Sequence, residues 1–176
     1  MTSRPLYVRA YIGLGSNLHS PIKQVRQAIA ELAQLPNSRL YAVSRIYRSS
    51  PMGSAEQPDY INAVAAIDSC LPPLALLDCL QAIENRHQRQ RGAERWGPRT
   101  LDLDLLLFGN TVINEPRLIV PHYGLHERSF VLRPLADIEP SLKLPDGRSL
   151  EALCDALNDD ALNDDELEVL AEGTQD

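Results

Sequence analysis

Two features of the sequence predict a fold of the α+β class. Apolar and polar residues alternate along some stretches, and apolar residues recur at helical spacing along others. The chain has 176 residues, of which 44% are hydrophobic and 23% are charged. A chain of this length supports one hydrophobic core. We therefore expect a single globular domain over residues 1–157, followed by a solvated acidic C-terminal tail over residues 158–176.

Each predicted element has its own signal. Strands are expected where apolar and polar residues alternate, because successive side chains of a strand point to opposite faces. Helices are expected where proline opens a run of apolar residues spaced three or four apart. In chain order the elements are a strand over residues 7–14, a helix from Ser20-Pro21, strands over Leu40 to Arg48 and Tyr60 to Ile67, a helix from Pro72-Pro73, and a strand over Leu101 to Phe108.

This β-α-β-β-α-β order is typical of the ferredoxin-like fold, in which both helices cover one face of an antiparallel sheet. The expected spatial strand order is 4-1-3-2. Strands one and two then end, and strands three and four begin, at the same edge of the sheet. A C-terminal extension of hairpin and helix is predicted from the turn signals Gly109-Asn110 and Asp146-Gly147 and from residues 129–132.

Composition and charge argue against several classes of protein. The formal net charge of -7 opposes binding to nucleic acid, which depends on Lys and Arg neutralising phosphates. Cys70, Cys79 and Cys154 have neither a close pair nor the spacing of a zinc site. No signal core or membrane-length apolar run is present in the sequence. We expect a cytoplasmic protein that binds no membrane.

Two acids on the fourth strand are the first candidate for chemistry. Asp102 and Asp104 are two residues apart, so both carboxylates project from one face of the strand. A bare Asp-x-Asp is more often a solvated strand face. Here an arginine-rich segment precedes the pair; guanidinium groups bind phosphate oxygens, and paired carboxylates hold the magnesium that accompanies a nucleoside triphosphate. These arginines are Arg86, Arg89, Arg91, Arg95 and Arg99, around Trp96.

Aromatic and amide side chains form a second candidate group. Tyr60 and Asn62 share the open face of the third strand, where they could stack on a flat heterocycle and bind its ring nitrogens. Phe130 is a candidate for the opposite side of that ring, although ordinary packing explains such aromatics equally well. His122 and Tyr123 lie in a loop that could contact phosphate or stack on a base, but a lone loop histidine is more often incidental.

At this point the residues resemble a known family. Four segments match the signatures of 6-hydroxymethyl-7,8-dihydropterin pyrophosphokinases, in family order and at family spacing. The longest match is specific enough to make chance agreement very improbable. The segments are Tyr11 to Leu18, Gln57 to Asn62, Arg95 to Asp104 and Val120 to Tyr123.

The resemblance implies an enzyme that moves the terminal pyrophosphoryl unit of ATP to the pterin hydroxymethyl group, yielding AMP, with two magnesium ions. It implies that Asp102 and Asp104 bind the metal, and that Arg89, Arg99 and His122 act in catalysis with them. It also implies small-molecule partners for a monomer and leaves association with other folate enzymes open. The implied ATP site is Gln81, Glu84, Arg89, Arg91, Trp96, Arg99, Arg117, His122, Tyr123 and Arg128, and the implied pterin site is Ser49, Ser50, Met52, Tyr60, Asn62, Trp96 and Phe130.

Two other functions stay open on the residues alone. A ferredoxin-like sheet with two acids could be a polymerase-type palm or a nuclease, which the negative charge opposes. A non-catalytic ligand-binding regulatory module on the same fold is the second alternative. Such a module would not need the acid pair beside the arginine segment.

Overall fold

The computed structural model describes residues 6–50, 57–87, 100–159 and 167–174. Over these residues the chain is an α+β fold with one main antiparallel sheet and four α-helices. The elements are β1 (Val8–Ser16), α1 (Pro21–Leu32), β2 (Ser38–Val43), β3 (Tyr47–Ser49), β4 (Tyr60–Ser69), α2 (Pro73–Arg86), β5 (Asp102–Phe108), β6 (Ile113–Glu115), β7 (Leu118–Val120), α3 (Ser129–Ile138), α4 (Leu150–Asp159) and β8 (Glu168–Val169), with a 3-10 turn over Leu125–Glu127.

The main sheet has the strand order β5-β1-β4-β3-β8, and β2 also pairs with β4. β1 and β4 form its centre, paired from Val8 opposite Ser69 to Ser16 opposite Ile61. β2 and β3 lie one after the other along the same side of β4. The ends of β1 and β3 and the starts of β4 and β5 therefore share one edge of the sheet, which places the two predicted groups of polar residues side by side.

One face of the sheet is covered by α1 and α2. Alternate residues of β1, including Ile12, pack there against Val25 of α1 and Leu80 of α2, all fully buried. Burial of each large aliphatic side chain contributes about 1.5–3 kcal/mol relative to exposure. α1 begins at Pro21, as expected, but the Ser20 hydroxyl makes no cap hydrogen bond and its φ is 63°.

The other face of the sheet is covered in part by the C-terminal helices. Tyr11, Val64 and Ala66 form a second buried cluster with Leu132 and Leu135 of α3, and α4 packs on α3. The sequence predicts helices on one face and a C-terminal extension. α3 and α4 occupy the opposite face because the strands are apolar on both sides over their middle residues. They leave the sheet edge beside β1, β4 and β5 accessible as a cavity.

The structure corrects three local predictions. The run predicted as one strand from Leu40 to Arg48 is interrupted at residues 44–46, so β2 and β3 are separate. The turn at Gly109-Asn110 does not pair β5 with the following residues, because β6 pairs with β7. β5 bulges at Leu106, where Tyr11 is opposite Leu107 and Ile12 is opposite Leu105. Because of the extra residue, Leu107 joins Leu106 in the α3 cluster and Phe108 packs in the α1–α2 core. Strict alternation predicts the opposite faces for Leu107 and Phe108.

The segment predicted as a solvated tail also contains ordered structure. α4 extends to Asp159, and β8 pairs with β3 at the edge of the main sheet. The acidic stretch over residues 160–166 lies outside the described residues. None of the helices in the part of the chain that the structure describes is long and apolar enough to cross a membrane.

Candidate active site

A cavity of about 190 Å³ opens at the shared strand edge, on the face of the sheet where α3 lies. Its walls come from the ends of β1 and β3, the starts of β4 and β5, the loop after β7 and the start of α3. The cavity gathers most of the described residues that the sequence predicts for the site. These are Ser49, Ser50, Tyr60, Asn62, Asp102, Asp104, His122, Tyr123, Arg128 and Phe130.

Two glycines on β1 form the floor between the acids and the rest of the cavity. Asp102 lies opposite Gly15, and Asp104 lies opposite Gly13. A Cβ atom at Gly15 would stand 3.4 Å from Asn62 Oδ1, and one at Gly13 would stand 3.4 Å from the Leu106 side chain. Larger side chains would therefore fill the space between β4 and β5. The sequence signal for this role is two small residues at alternate positions of a strand.

His122 stands over the acids because its loop is fixed to β5. The His122 backbone N–H donates a hydrogen bond of 3.0 Å to the Leu106 carbonyl oxygen, at the bulge. The ring Nε2 lies 3.9 Å from Asp104 Oδ1, and Nδ1 accepts a hydrogen bond from the Gly124 backbone N–H at 3.2 Å. Burial lowers the pKa of His122, against the opposing effect of Asp104. With Nδ1 as acceptor, the proton of the neutral ring lies on Nε2 and faces Asp104.

The far end of the cavity is lined by an amide and hydroxyls. Asn62 is 4% exposed, and its Nδ2 donates a hydrogen bond of 2.6 Å to Ser49 Oγ. This bond joins β4 to β3, and Ser49 of β3 lies opposite Tyr60 of β4. Tyr60 stands beside Gly15. The Asn62 side chain is therefore held in one orientation, with its amide oxygen close to the cavity floor.

A cluster of rings and one guanidinium group forms the outer wall. The His122 and Tyr123 rings are stacked, with centroids 4.5 Å apart and planes 23° apart. The Arg128 guanidinium lies 5.7 Å from the centroids of both Tyr123 and Phe130. Tyr123 is 55% exposed. The wall thus presents aromatic faces and a positive charge toward a ligand.

Three predicted ATP-site residues are not among the residues that line this cavity. Arg117, in the β6–β7 turn, donates to Asp78 Oδ1 at 2.6 Å and to Gln81 Oε1 at 3.4 Å, which joins the turn to α2. Glu84 is 2% exposed, and its Oε2 accepts a hydrogen bond of 2.9 Å from the Leu103 backbone N–H. That bond satisfies a donor on the outer edge of β5. The ATP contacts of these residues stay predictions.

The remaining predicted site residues lie outside the described part of the chain. Sequence reasoning also missed three apolar residues that line the cavity, Leu14, Ala63 and Val131. Leu106 lies on the face of Asp102 and Asp104 by simple alternation. The bulge changes the facing of Leu107 and Phe108 instead, and no sequence signal marks it. The undescribed residues are Met52, Arg89, Arg91, Trp96 and Arg99.

The fold and the cavity together define a class of protein. It is an α+β protein with a cavity suited to a small polar ligand, with two carboxylates at one end and a buried amide at the other.

Comparisons with known proteins identify the family. The model of the 7,8-dihydro-6-hydroxymethylpterin-pyrophosphokinase (HPPK) family matches residues 11–140, and the chain belongs to this family. The resemblance inferred from the sequence motifs is therefore confirmed.

Curated relatives agree with this assignment. The 2-amino-4-hydroxy-6-hydroxymethyldihydropteridine pyrophosphokinase of Pseudomonas aeruginosa is 55% identical over 145 residues, which cover 82% of this chain and 89% of the relative. The protein of the same name from Haemophilus influenzae is 49% identical over 146 residues, covering 83% of this chain and 91% of the relative.

A solved structure shares the fold. The crystal structure of wild-type Plasmodium falciparum HPPK-DHPS aligns with a TM-score of 0.67 at 13% identity. The alignment covers 88% of this chain and 45% of that longer chain. At this identity the likeness concerns the fold alone.

Proposed function

We propose that this chain transfers the terminal pyrophosphoryl unit of ATP to 6-hydroxymethyl-7,8-dihydropterin in folate biosynthesis. The pterin hydroxymethyl oxygen forms a bond to the β-phosphorus of ATP, the bond between that phosphorus and the α-phosphate bridge breaks, and AMP leaves. The hydroxyl proton is released. The observation that carries the proposal is one cavity with paired carboxylates at one end and the Asn62–Ser49 pair at the other, in a chain of the HPPK family.

Asp102 and Asp104 are suited to magnesium. Both are carboxylates on one face of β5 at the cavity edge, and the Asp104 side chain is 48% exposed. Among the described residues there is no cluster of three or more His, Cys, Asp or Glu that would form a complete protein cage. Magnesium does not require one, because it typically binds one or two carboxylates together with substrate phosphates. When bound, two ions would neutralise the charge that develops on the transferring phosphates.

The pterin end has the donors and acceptors that a flat heterocycle needs. Asn62 is buried and oriented by Ser49, so its amide can bind ring atoms without reorganisation. Tyr60 and Phe130 offer aromatic surfaces for the ring, and Ser50 lines the same end. Met52 and Trp96 complete this group in the family pattern.

The remaining chemistry is positioning of ATP and neutralisation of its charge. His122, Tyr123 and Arg128 border the acid end of the cavity and are placed to meet phosphate or base. Phosphoryl transfer relies mainly on alignment and electrostatics, so the site needs no dedicated general base. Further contacts are proposed by family position for Gln81, Glu84, Arg89, Arg91, Arg99 and Arg117.

We also propose a fold type, a cellular compartment and an oligomeric state for this chain. The strand order and the placement of α1 and α2 on one face support description as a ferredoxin-like fold. We propose a monomer that acts in the cytoplasm on ATP and a dihydropterin. Cys70, Cys79 and Cys154 are free thiols, which suits a reducing compartment.

Product analysis tests the function. The chain is incubated with ATP, magnesium and 6-hydroxymethyl-7,8-dihydropterin, and nucleotides and pterins are separated. We expect AMP and a pterin diphosphate in equal amounts, with no reaction when the pterin is omitted or magnesium is chelated. Formation of ADP would indicate an ordinary kinase. Binding without pterin-dependent turnover would favour a regulatory module.

A further inference from the structure

The C-terminal segment returns to the main sheet and adds a strand beside β3. Glu168 of β8 lies opposite Arg48 in an antiparallel pairing. Two residues further on, the Leu170 backbone N–H donates a hydrogen bond of 2.8 Å to the Ile46 carbonyl oxygen. The segment therefore covers the side of β3 that faces away from β4.

Apolar packing is the main contribution to this docking. The Leu170 side chain packs against the core beneath α1 and α2. The neighbouring Val169 is 42% exposed and points away from that core. Polar contacts at the surface are a 3.7 Å ion pair between Arg48 and Glu168 and a 2.8 Å hydrogen bond from Arg26 to the Thr174 carbonyl oxygen. Such exposed contacts contribute little, so Leu170 is the anchor of the segment.

β3 needs this support because it is short and carries part of the site. It has three residues, and its last one, Ser49, receives the hydrogen bond from Asn62 that orients the amide in the cavity. A three-residue strand at a sheet edge with a partner on one side frays readily. β4 pairs with all three residues of β3, and β8 pairs with Tyr47 and Arg48 on the other side, so β3 is held on both edges up to the residue before Ser49.

We propose that the C-terminal segment, residues 167–174, is a positioning element for the pterin. It acts through β3, which holds Ser49 and thereby the Asn62 amide in the orientation that binds the heterocycle. The segment lies beyond residues 11–140, which the family model matches, so this device is additional to the family pattern. The inference rests on the proposed function, because Ser49 and Asn62 are assigned there to the pterin.

Leu170→Asp tests the role of the segment. It places a charge where the anchor side chain packs, so β8 should detach from β3. We expect the KM for the dihydropterin to rise about tenfold, because β3 residues must then be ordered on binding. The KM for ATP should stay within about twofold and kcat should change little, because the acids are on β5, across β1 and β4 from β3.

Val169→Asp is the matched control. It adds the same charge one residue away, on the exposed side of the strand, and should leave both KM values unchanged. Leu170→Met, which keeps an apolar side chain at this position, should retain the pterin KM of the unmodified chain. Hydrogen exchange at the Arg48 and Ser49 amides should quicken in Leu170→Asp but not in Val169→Asp. If Leu170→Asp fails to fold, the same measurements are made on Leu170→Ala and on a chain ending at Glu166.

The outcomes separate this inference from the proposed function. Equal increases in both KM values would overturn the positioning role. An unchanged pterin KM in a variant whose β3 amides exchange faster would also overturn it. In both cases turnover by the unmodified chain would still support the proposed reaction. No turnover by the unmodified chain would overturn the proposed function, and the positioning role with it.

Discussion

The sheet face that bears Asp102 and Asp104 carries charged residues at both ends, but the interactions of these charges within the chain differ between the two ends. At the far end, Arg9 Nε donates to Asp68 Oδ1 at 2.7 Å and the guanidinium lies 3.4 Å from the centre of the Tyr41 ring. At the cavity end, Asp104 is 3.9 Å from His122 and 48% exposed. Charges matched within the chain stabilise the fold, whereas a half-exposed carboxylate beside a cavity, such as that of Asp104, is available to a ligand.

The hydrogen bond from Arg9, helped by the nearby guanidinium charges, lowers the pKa of Asp68 against the opposing effect of burial. A similar group lies where α3 meets the sheet, where Tyr47 donates a 2.6 Å hydrogen bond to Asp137. Burial, followed by that bond, raises the pKa of Tyr47 to about 12. The Arg9–Asp68 and Tyr47–Asp137 interactions therefore both stabilise the fold. The comparison predicts that variants at the two ends of the face change different quantities.

The largest effect is expected from Asp104→Asn. Loss of one carboxylate from the proposed magnesium site should lower turnover at least about 100-fold, or about 2.7 kcal/mol in transition-state stabilisation. The free energy of unfolding should change little because the side chain is half exposed. Steady-state kinetics and urea unfolding measure the two quantities. Glu115→Gln, an exposed neutralisation on β6, is the control. Near-normal turnover in Asp104→Asn would refute the metal assignment.

A smaller effect on the reaction is expected from Asn62→Ala. The KM for the dihydropterin should rise about tenfold, and the free energy of unfolding should fall by about 1 kcal/mol because Ser49 loses its partner. Ser38→Ala removes a comparable 2.7 Å hydrogen bond to Ser69 at the other end of the sheet. It should reduce stability similarly with both KM values unchanged. Equal kinetic effects of the two variants would contradict the assignment of Asn62 to the pterin.

Asp68→Asn should affect stability alone. We expect a loss of about 1 kcal/mol near neutral pH, since Arg9 is partly exposed and solvent weakens the pair. Because folding lowers the pKa of Asp68, its contribution is complete above the ordinary aspartate value of about 3.9 and is lost as the pH falls through the lower folded value. Urea unfolding at several pH values should show the two proteins converging in acid. A difference independent of pH would indicate a packing effect instead.

The smallest effect is expected from Tyr41→Leu. An exposed cation–π contact contributes about 0.5–1 kcal/mol, and Tyr41 is 53% exposed. Leucine preserves much of the apolar area, so the unfolding midpoint should fall slightly while all kinetic constants stay unchanged. A double-mutant cycle with Arg9→Ala isolates the contact. Zero coupling would show that the ring and the guanidinium do not stabilise each other.

The sequence by itself predicted the main elements and much of the candidate site. Alternation and helical spacing located the first strand, both core helices and the paired face of Asp102 and Asp104, because these signals are local and repeat over many residues. The motif around Asp102 also identified the family, which the comparisons confirm. Neither inference required knowledge of which residues meet in space.

Tertiary structure decided what depends on contacts between distant residues. The bulge at Leu106 arises from the pairing register between β5 and β1. The docking of Leu170 on the core depends on β3, which is a short edge strand because the chain breaks the strand pattern before Tyr47. The acidic composition of the C-terminal segment predicted a solvated tail, but one apolar anchor and an unpaired strand edge suffice to hold residues 167–174. Local pattern cannot show these features because their free energy comes from long-range packing and pairing.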